Sequence, residues 1–230
     1  MLLPAPLPPA VIFDLDGTLV DSLPDIAAAM NATLAEDGLA PIPDADIRRM
    51  VGEGAQAAVE RALIYRGVAA DEAAVARLLH RFEPHYIRYS KLGSAVYPGG
   101  HEVLAALHGA GIRCGLCTNK PQAVTDVVMQ ATGLDRFMGA VIGASDKLPK
   151  KPAPDMLLAA IAQLGRKAVD AVMVGDSIAD YKTARTANVP VILVDFGYSR
   201  TPVQDLGADA IISHLSDLPK ALADVHVRCR

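Results

Sequence analysis

The sequence predicts an α/β protein: a parallel β-sheet core with helices on both faces, plus an all-helical insertion after the first strand. Two observations carry this expectation. From Pro98 onward, short apolar runs alternate with segments of helical period, which is the grammar of βαβ units. Between Ser22 and Val96 the apolar residues instead recur every three or four positions, and no convincing strand intervenes. Residues 1–21 and 97–230 are therefore expected to build the sheet domain, and residues 22–96 a separate helical lobe.

The first strand is read from Val11-Ile12-Phe13, β-branched and aromatic, as buried on both faces. Helices are expected from Leu23 to Gly38, from Asp44 through Ile47 and Met50, over Ala55–Tyr65, and from Asp71 to about Tyr89. Pro84 falls inside the last of these and should bend or split it. Beyond Pro98 the order is helix Gly100–Gly109, strand Ile112–Cys117, helix Pro121–Thr132, strand Val141–Gly143 and helix Pro154–Leu164. Strand Ala171–Val174, helix Ile178–Ala187, strands Val191–Val194 and Ala210–Ile212, and helix Leu215–Ala223 complete it.

At 230 residues the chain is long enough for one sizeable core and an insertion. A net charge of −4 argues against wholesale binding to nucleic acid or to acidic membranes. A small anionic ligand remains compatible with it, given local positive charge and a metal. Met1–Ala10 holds four prolines and no basic residue, so it reads as an extended lead-in rather than a signal peptide or membrane helix. The three cysteines, Cys114, Cys117 and Cys229, make no disulfide framework, and a cytoplasmic location is expected. Cys114 and Cys117 share a C-x-x-C spacing, but on a strand they would face opposite sides, as core residues.

Four stations carry the chemistry. Asp14 and Asp16 end the first strand, where ligands of open parallel sheets bind, and Gly17-Thr18 turns the chain away. Two carboxylates about 4 Å apart repel by roughly 4 kcal/mol at an effective dielectric near 20. A hard cation or a shared proton relieves that cost, and both states serve phosphate chemistry. One carboxylate attacks phosphorus while the other protonates the leaving oxygen; a solvated turn is the plain alternative. Thr118 and Asn119, at the end of a second strand and before a helix, suit a phosphate cradle and equally a helix cap. Lys150 and Lys151 precede Pro152, which holds Lys151 extended and aims one ammonium; two solvated loop lysines are the alternative. Val174-Gly175-Asp176 repeats the first pattern, with Asp180 one helical turn beyond Asp176, an arrangement able to hold Mg²⁺; Asp176 or Ser177 simply capping the helix is the alternative. Each station alone has an ordinary explanation. Four in this order, each at the carboxyl end of an expected parallel strand, point to one site.

These residues resemble the four signature motifs of the haloacid dehalogenase-like hydrolase superfamily. They are Asp14-Leu15-Asp16-Gly17-Thr18, Thr118, Lys151-Pro152, and Gly175-Asp176 through Asp180. Asp21-Ser22-Leu23-Pro24-Asp25, Val51-Gly52-Glu53-Gly54, Glu60-Arg61-Ala62-Leu63, Tyr97-Pro98-Gly99, Thr118-Asn119-Lys120 and Phe196-Gly197-Tyr198 are similar to the phosphoglycolate phosphatase subgroup. The resemblance implies a Rossmann-like core, a mobile helical cap and Mg²⁺. It implies Asp14 as nucleophile and metal ligand, and Asp16 as general acid and then base, with its backbone carbonyl on the metal. Thr118 and Lys151, with Asn119, would bind the phosphoryl group; Asp176 would bind the metal, and Asp180 a metal-bound water or a ligand. Gly52, Glu53 and Gly54 would face the site as a cap loop, with a plain helix–helix turn as the other reading. Arg49 and Arg61 are candidate carboxylate partners, or solvated.

The expected function is therefore a Mg²⁺-dependent phosphatase acting on a small phosphorylated metabolite, 2-phosphoglycolate first, as a monomer or homodimer. A phosphatase or phosphomutase for sugar phosphates, a pyrophosphatase and a phospho-aspartate receiver domain remain as alternatives. Asp16 and the long insertion argue against the receiver, because turnover needs an acid/base two residues beyond the nucleophile.

Overall fold

The computed structural model describes residues 3–4, 6–91 and 94–228. Part of the expected lead-in (Met1, Leu2 and Ala5) and Cys229 lie outside the described residues. The apolar run at the start becomes β1 (Ala10–Phe13), every residue of it buried. Val11 and Phe13 pack into one apolar cluster, and Ala10 and Ile12 into another on the opposite face, as strand alternation requires.

The next segment runs through β2 (Val20–Asp21), α1 (Leu23–Glu36), α2 (Asp44–Arg48), α3 (Ala55–Tyr65), α4 (Glu72–Ser90) and β3 (Ala95–Val96). Ile26, Met30, Leu34, Val59, Leu78 and Phe82 form a third apolar cluster there. Two expectations are corrected. The stretch to Val96 is not free of strands, since β2 and β3 pair antiparallel, Val20 with Val96 and Asp21 with Ala95. Two residues are too few to show a period in sequence. Pro84 does not split α4, which is continuous from Glu72 to Ser90 and capped by Asp71 accepting from the Ala74 N–H at 2.8 Å. Pro84 and His80, whose carbonyl loses its helical donor, both lie on the exposed side, where the carbonyl is open to solvent.

The remainder is α5 (Gly100–Gly109), β4 (Arg113–Pro121), α6 (Gln122–Thr132), β5 (Met138–Ala144), α7 (Asp155–Gln163), β6 (Ala171–Gly175), α8 (Ile178–Thr186), β7 (Val191–Val194), β8 (Ala210–Ile212) and α9 (Leu218–Arg228). The sheet order is β5-β4-β1-β6-β7-β8, all parallel. After β1 the chain goes to one side of it, then returns to the other at β6, so β1 lies at the switch point where ligands of such sheets bind. The last helix starts later than expected, at Leu218, behind a 3-10 turn at Leu215–Asp217.

β4 is longer than the expected strand, which stopped before Thr118. Between Cys117 and Pro121 it advances four residues while β5 advances two, from Ile142 to Ala144. The surplus forms a bulge. It frees Thr118, Asn119 and Lys120 from strict alternation, and all three line one cavity. Cys114 and Cys117 are unpaired and sit in different apolar clusters. Burial pushes both thiols up to about 12, so they are core residues. Among the described residues, no helix is long and apolar enough to cross a membrane.

Candidate active site

Asp14 follows β1 directly and continues its ladder, donating its N–H to Val174 O of β6 at 2.9 Å. Because β1 is flanked by β4 and β6, the Asp14 carboxylate emerges between Thr118 and Asp176. One carboxylate oxygen each from Asp14, Asp176 and Asp180 lies within 4.8 Å of the others, and all three residues are buried. Burial pushes the Asp14 carboxyl up to about 6, with the Lys151 charge working against the rise. Burial, then the charges of Asp180 and Asp14, raise Asp176 far above the usual carboxylate range.

The expected Lys151 is the lysine at the site, while Lys150 is exposed. Its Nζ lies 2.9 Å from Asp14 Oδ1 and 2.6 Å from Asp180 Oδ1. Burial opposes its charge, yet the Asp14 and Asp180 carboxylates outweigh it and hold the ammonium protonated. The Lys151–Pro152 peptide bond is cis, and a turn rather than the expected extended segment leads into α7.

Asn119 departs from the sequence reading. Both ends of its amide are used by the backbone of Lys151: Nδ2 donates to Lys151 O at 3.0 Å, and Lys151 N donates to Oδ1 at 2.9 Å. Nor does it cap α6, which has no side-chain cap. The cap reading of the fourth station holds together with the functional one. Ser177 accepts from the Asp180 N–H at 3.3 Å, while Asp180 Oδ2 accepts from the N–H groups of Asp176 and Ser177 at 3.2 and 3.0 Å. The capping box fixes one Asp180 oxygen and leaves the other for Lys151.

Asp16 turns away from the three clustered carboxylates. Its Oδ1 accepts from Ser22 Oγ at 2.6 Å and from Lys120 Nζ at 3.0 Å. Lys120 also donates to the Tyr86 hydroxyl of α4, and its Nζ lies 4.1 Å from that ring's centre. Tyr198 joins distant parts: its N–H donates to Asp176 Oδ2 at 2.5 Å, and its hydroxyl accepts from the N–H groups of Ser22 and Leu23 at 2.8 and 3.0 Å. That hydroxyl donates to Asp21 Oδ1 at 2.6 Å. Gly17 and Gly197 make room for Asp176; a Cβ on either would lie 2.5 and 2.3 Å from its side chain.

The proposed cap loop divides two clefts. Gly52 and Gly54 line one with Asp14, Asp16 and Thr118, and Glu53 lines the other with Asp176 and Ser177. Glu53 is paired with Arg200 and, at 2.6 Å, with Arg61. Arg49 is exposed and paired with Asp46, so neither Arg49 nor Arg61 reaches the Asp14 cavity. Lys120, Tyr86, Ser22 and Tyr198 were not singled out for this site from sequence. Their only signal was membership in the runs Thr118-Asn119-Lys120, Asp21–Asp25 and Phe196-Gly197-Tyr198, plus the apolar stripe of α4.

Residues 11–194 match the family described as haloacid dehalogenase-like hydrolase. The chain belongs to that family. A phosphoglycolate phosphatase of Rhodospirillum rubrum is 45% identical over 216 residues, covering 92% of this chain and 90% of that protein. One from Caulobacter vibrioides is 42% identical over 219 residues, covering 95% and 92%. Among solved structures, a predicted phosphoglycolate phosphatase from Haemophilus somnus 129pt aligns with a TM-score of 0.86 at 27% identity, covering 94% of this chain and 99% of that one. Within the haloacid dehalogenase-like hydrolases this chain falls in the phosphoglycolate phosphatase-like subgroup, and its activity class is that of a phosphatase, a hydrolase of phosphoric monoesters.

Proposed function

We propose that this haloacid dehalogenase-like phosphatase hydrolyses 2-phosphoglycolate in the cytoplasm, through an aspartyl-phosphate on Asp14 and with Mg²⁺ as its metal. The observation that carries the reading is the convergence of Asp14, Asp176 and Asp180 around Lys151 beside Thr118. The donor set fits the metal. Three clustered carboxylates against one ammonium leave two negative charges uncompensated, and all the donors are hard oxygens. Asp14, Asp176 and Asp180 would hold the ion, with the Asp16 backbone carbonyl. When bound, Mg²⁺ neutralises the carboxylates and the phosphoryl oxygens so that two anions can meet.

Asp14 attacks phosphorus, its oxygen bonding to phosphorus as the ester bond breaks. Asp16 gives its proton to the leaving oxygen, then takes one from the water that cleaves the acyl phosphate and restores Asp14. Lys151 and Thr118 hold the transferring oxygens, and Asp180 and Asn119 aim Lys151. Residues 22–96 act as a cap over this cavity, a role supported by their own apolar cluster and by Gly52 and Gly54 in its wall. Glu53, neutralised by two arginines, offers no bar to an anionic substrate.

The test is phosphate release from 2-phosphoglycolate with Mg²⁺, together with rapid-quench labelling by radioactive substrate. Wild type becomes labelled and Asp14→Asn neither labels nor turns over; turnover retained in Asp14→Asn rules out the nucleophile.

A further inference from the structure

Lys151 is already committed to Asp14, Asp180 and the phosphoryl group; among the described residues that line the cavity beside Asp14, Lys120 is the further cationic side chain. Much of the remaining wall is apolar, built by Ile26, Val51, Ala58 and Phe82. A lysine ammonium carries three N–H donors. Tyr86 engages one of them on Lys120 and the Asp16 carboxylate the others, at 3.0 Å to Oδ1 and at a long 3.4 Å to Oδ2, so the weaker contact can be exchanged for a further acceptor. Tyr86 accepts from Lys120, and its own hydroxyl hydrogen remains to donate. The arginines nearby are committed elsewhere: Arg61 and Arg200 to Glu53, Arg48 to the Gly197 carbonyl.

We propose that Lys120, supported by Tyr86, is the specificity-determining residue that receives a substrate carboxylate attached to the carbon next to the ester oxygen. The substrate class is then an α-phosphooxy carboxylate. The inference rests on the proposed function and assigns the residue that selects its substrate. Its geometry comes from Asp16, which must reach the leaving oxygen and lies 3.0 Å from Lys120 Nζ. An anion held by Lys120 is thus close to the leaving oxygen, the spacing that one intervening carbon supplies. A longer acid would carry its carboxylate past the ammonium into the apolar wall. Lys120 is buried, and a charge-assisted hydrogen bond to a buried ammonium discriminates strongly.

The experiment compares kcat/KM with Mg²⁺ for 2-phosphoglycolate, 3-phosphooxypropionate and ethyl phosphate, in wild type, Lys120→Met and Tyr86→Phe. Wild type should prefer 2-phosphoglycolate to both others. Lys120→Met should lower its preference over ethyl phosphate by about 10- to 100-fold, the worth of one hydrogen bond to a charged group. Tyr86→Phe, which keeps the Lys120–Asp16 pair, should lower it by roughly several-fold, the worth of a weaker bond. A merely structural role would slow all three esters alike, and an unchanged ratio in Lys120→Met overturns the assignment. If that variant does not fold, an unchanged ratio in Tyr86→Phe overturns it. Wild type that treats ethyl phosphate and 2-phosphoglycolate equally removes this assignment alone, whereas no release from any ester removes the phosphatase reading as well.

Discussion

The side-chain amide of Asn119 grips the backbone of Lys151 at both its N–H and its carbonyl, at 2.9 and 3.0 Å. The residues are far apart in sequence, on the β4 bulge and in the loop before α7, so this clamp sets where the Lys151 ammonium points. Asn119→Ala should leave the fold intact and lower kcat by about 10- to 100-fold, since a displacement of about 1 Å has that effect on a positioned group. Steady-state kinetics beside a circular dichroism spectrum will check it; an unchanged kcat would mean that Lys151 is held without the clamp.

Asp14→Asn removes a charge that burial disfavours. In chelator the variant should melt at a higher temperature than wild type, although it turns over nothing. Added Mg²⁺ should raise the wild-type melting temperature and shift the variant far less, because binding stabilises only a protein that holds the ion. Thermal melts with and without Mg²⁺ give both readings.

The raised Asp14 pKa makes folding stability depend on pH. Unfolded, the carboxyl titrates near 3.8; folded and metal-free it titrates near 6. Between these values the folded state keeps a proton that the unfolded state has lost, so this group's contribution to stability falls as pH rises through the window. Asp176 acts in the same direction. Metal-free protein should therefore gain stability from pH 7.5 down to roughly pH 5.5, while Mg²⁺ affinity weakens as Asp14 becomes protonated. Melts in chelator and Mg²⁺ titrations at the two pH values test this; a melting temperature in chelator that falls on acidification contradicts it.

Gly197→Ala would set a Cβ 2.3 Å from Asp176 Cβ. The side chain of Asp176 must then move, at an expected cost of about 1–3 kcal/mol. Denaturant unfolding should show the loss, and calorimetry a weaker Mg²⁺ affinity. Affinity equal to wild type would show that Asp176 does not hold the ion.

Tyr198→Phe deletes the hydroxyl that accepts from Ser22 and Leu23 and donates to Asp21. A buried N–H group (Ser22) and a part-buried one (Leu23) at the start of α1 lose their partner, which should destabilise by about 1–3 kcal/mol. Chemical denaturation measures it directly; no change would mean that water replaces the hydroxyl.

Apolar patterning made most of the fold legible. β1, α3, α5, β7 and β8 match their expected bounds to within a residue, because each is an uninterrupted apolar or amphipathic run ended by a turn residue. The β2–β3 ribbon escaped, since two-residue strands have no period, and the continuity of α4 through Pro84 depended on which face met water. Of the candidate site, Asp14, Thr118 and Asp176 were legible because each ends an apolar run at a turn or helix start, and Lys151 because Pro152 follows it in a proline-rich loop. Lys120, Tyr86 and Tyr198 were not, because a lysine in a loop and a tyrosine on a helical stripe look alike whether they face water, core or cavity.

Sequence alone determined the order of the helices and of the strands of the parallel sheet, and which residues stand at those strand ends, since hydrophobic period and turn chemistry are local properties. Tertiary structure alone decided that Asp16 faces Lys120 rather than the other carboxylates, that Asn119 serves Lys151, and that Glu53 is neutralised by Arg61 and Arg200. Those partners are distant in the chain. Only sheet order and the seating of the helical segment bring them within hydrogen-bonding range.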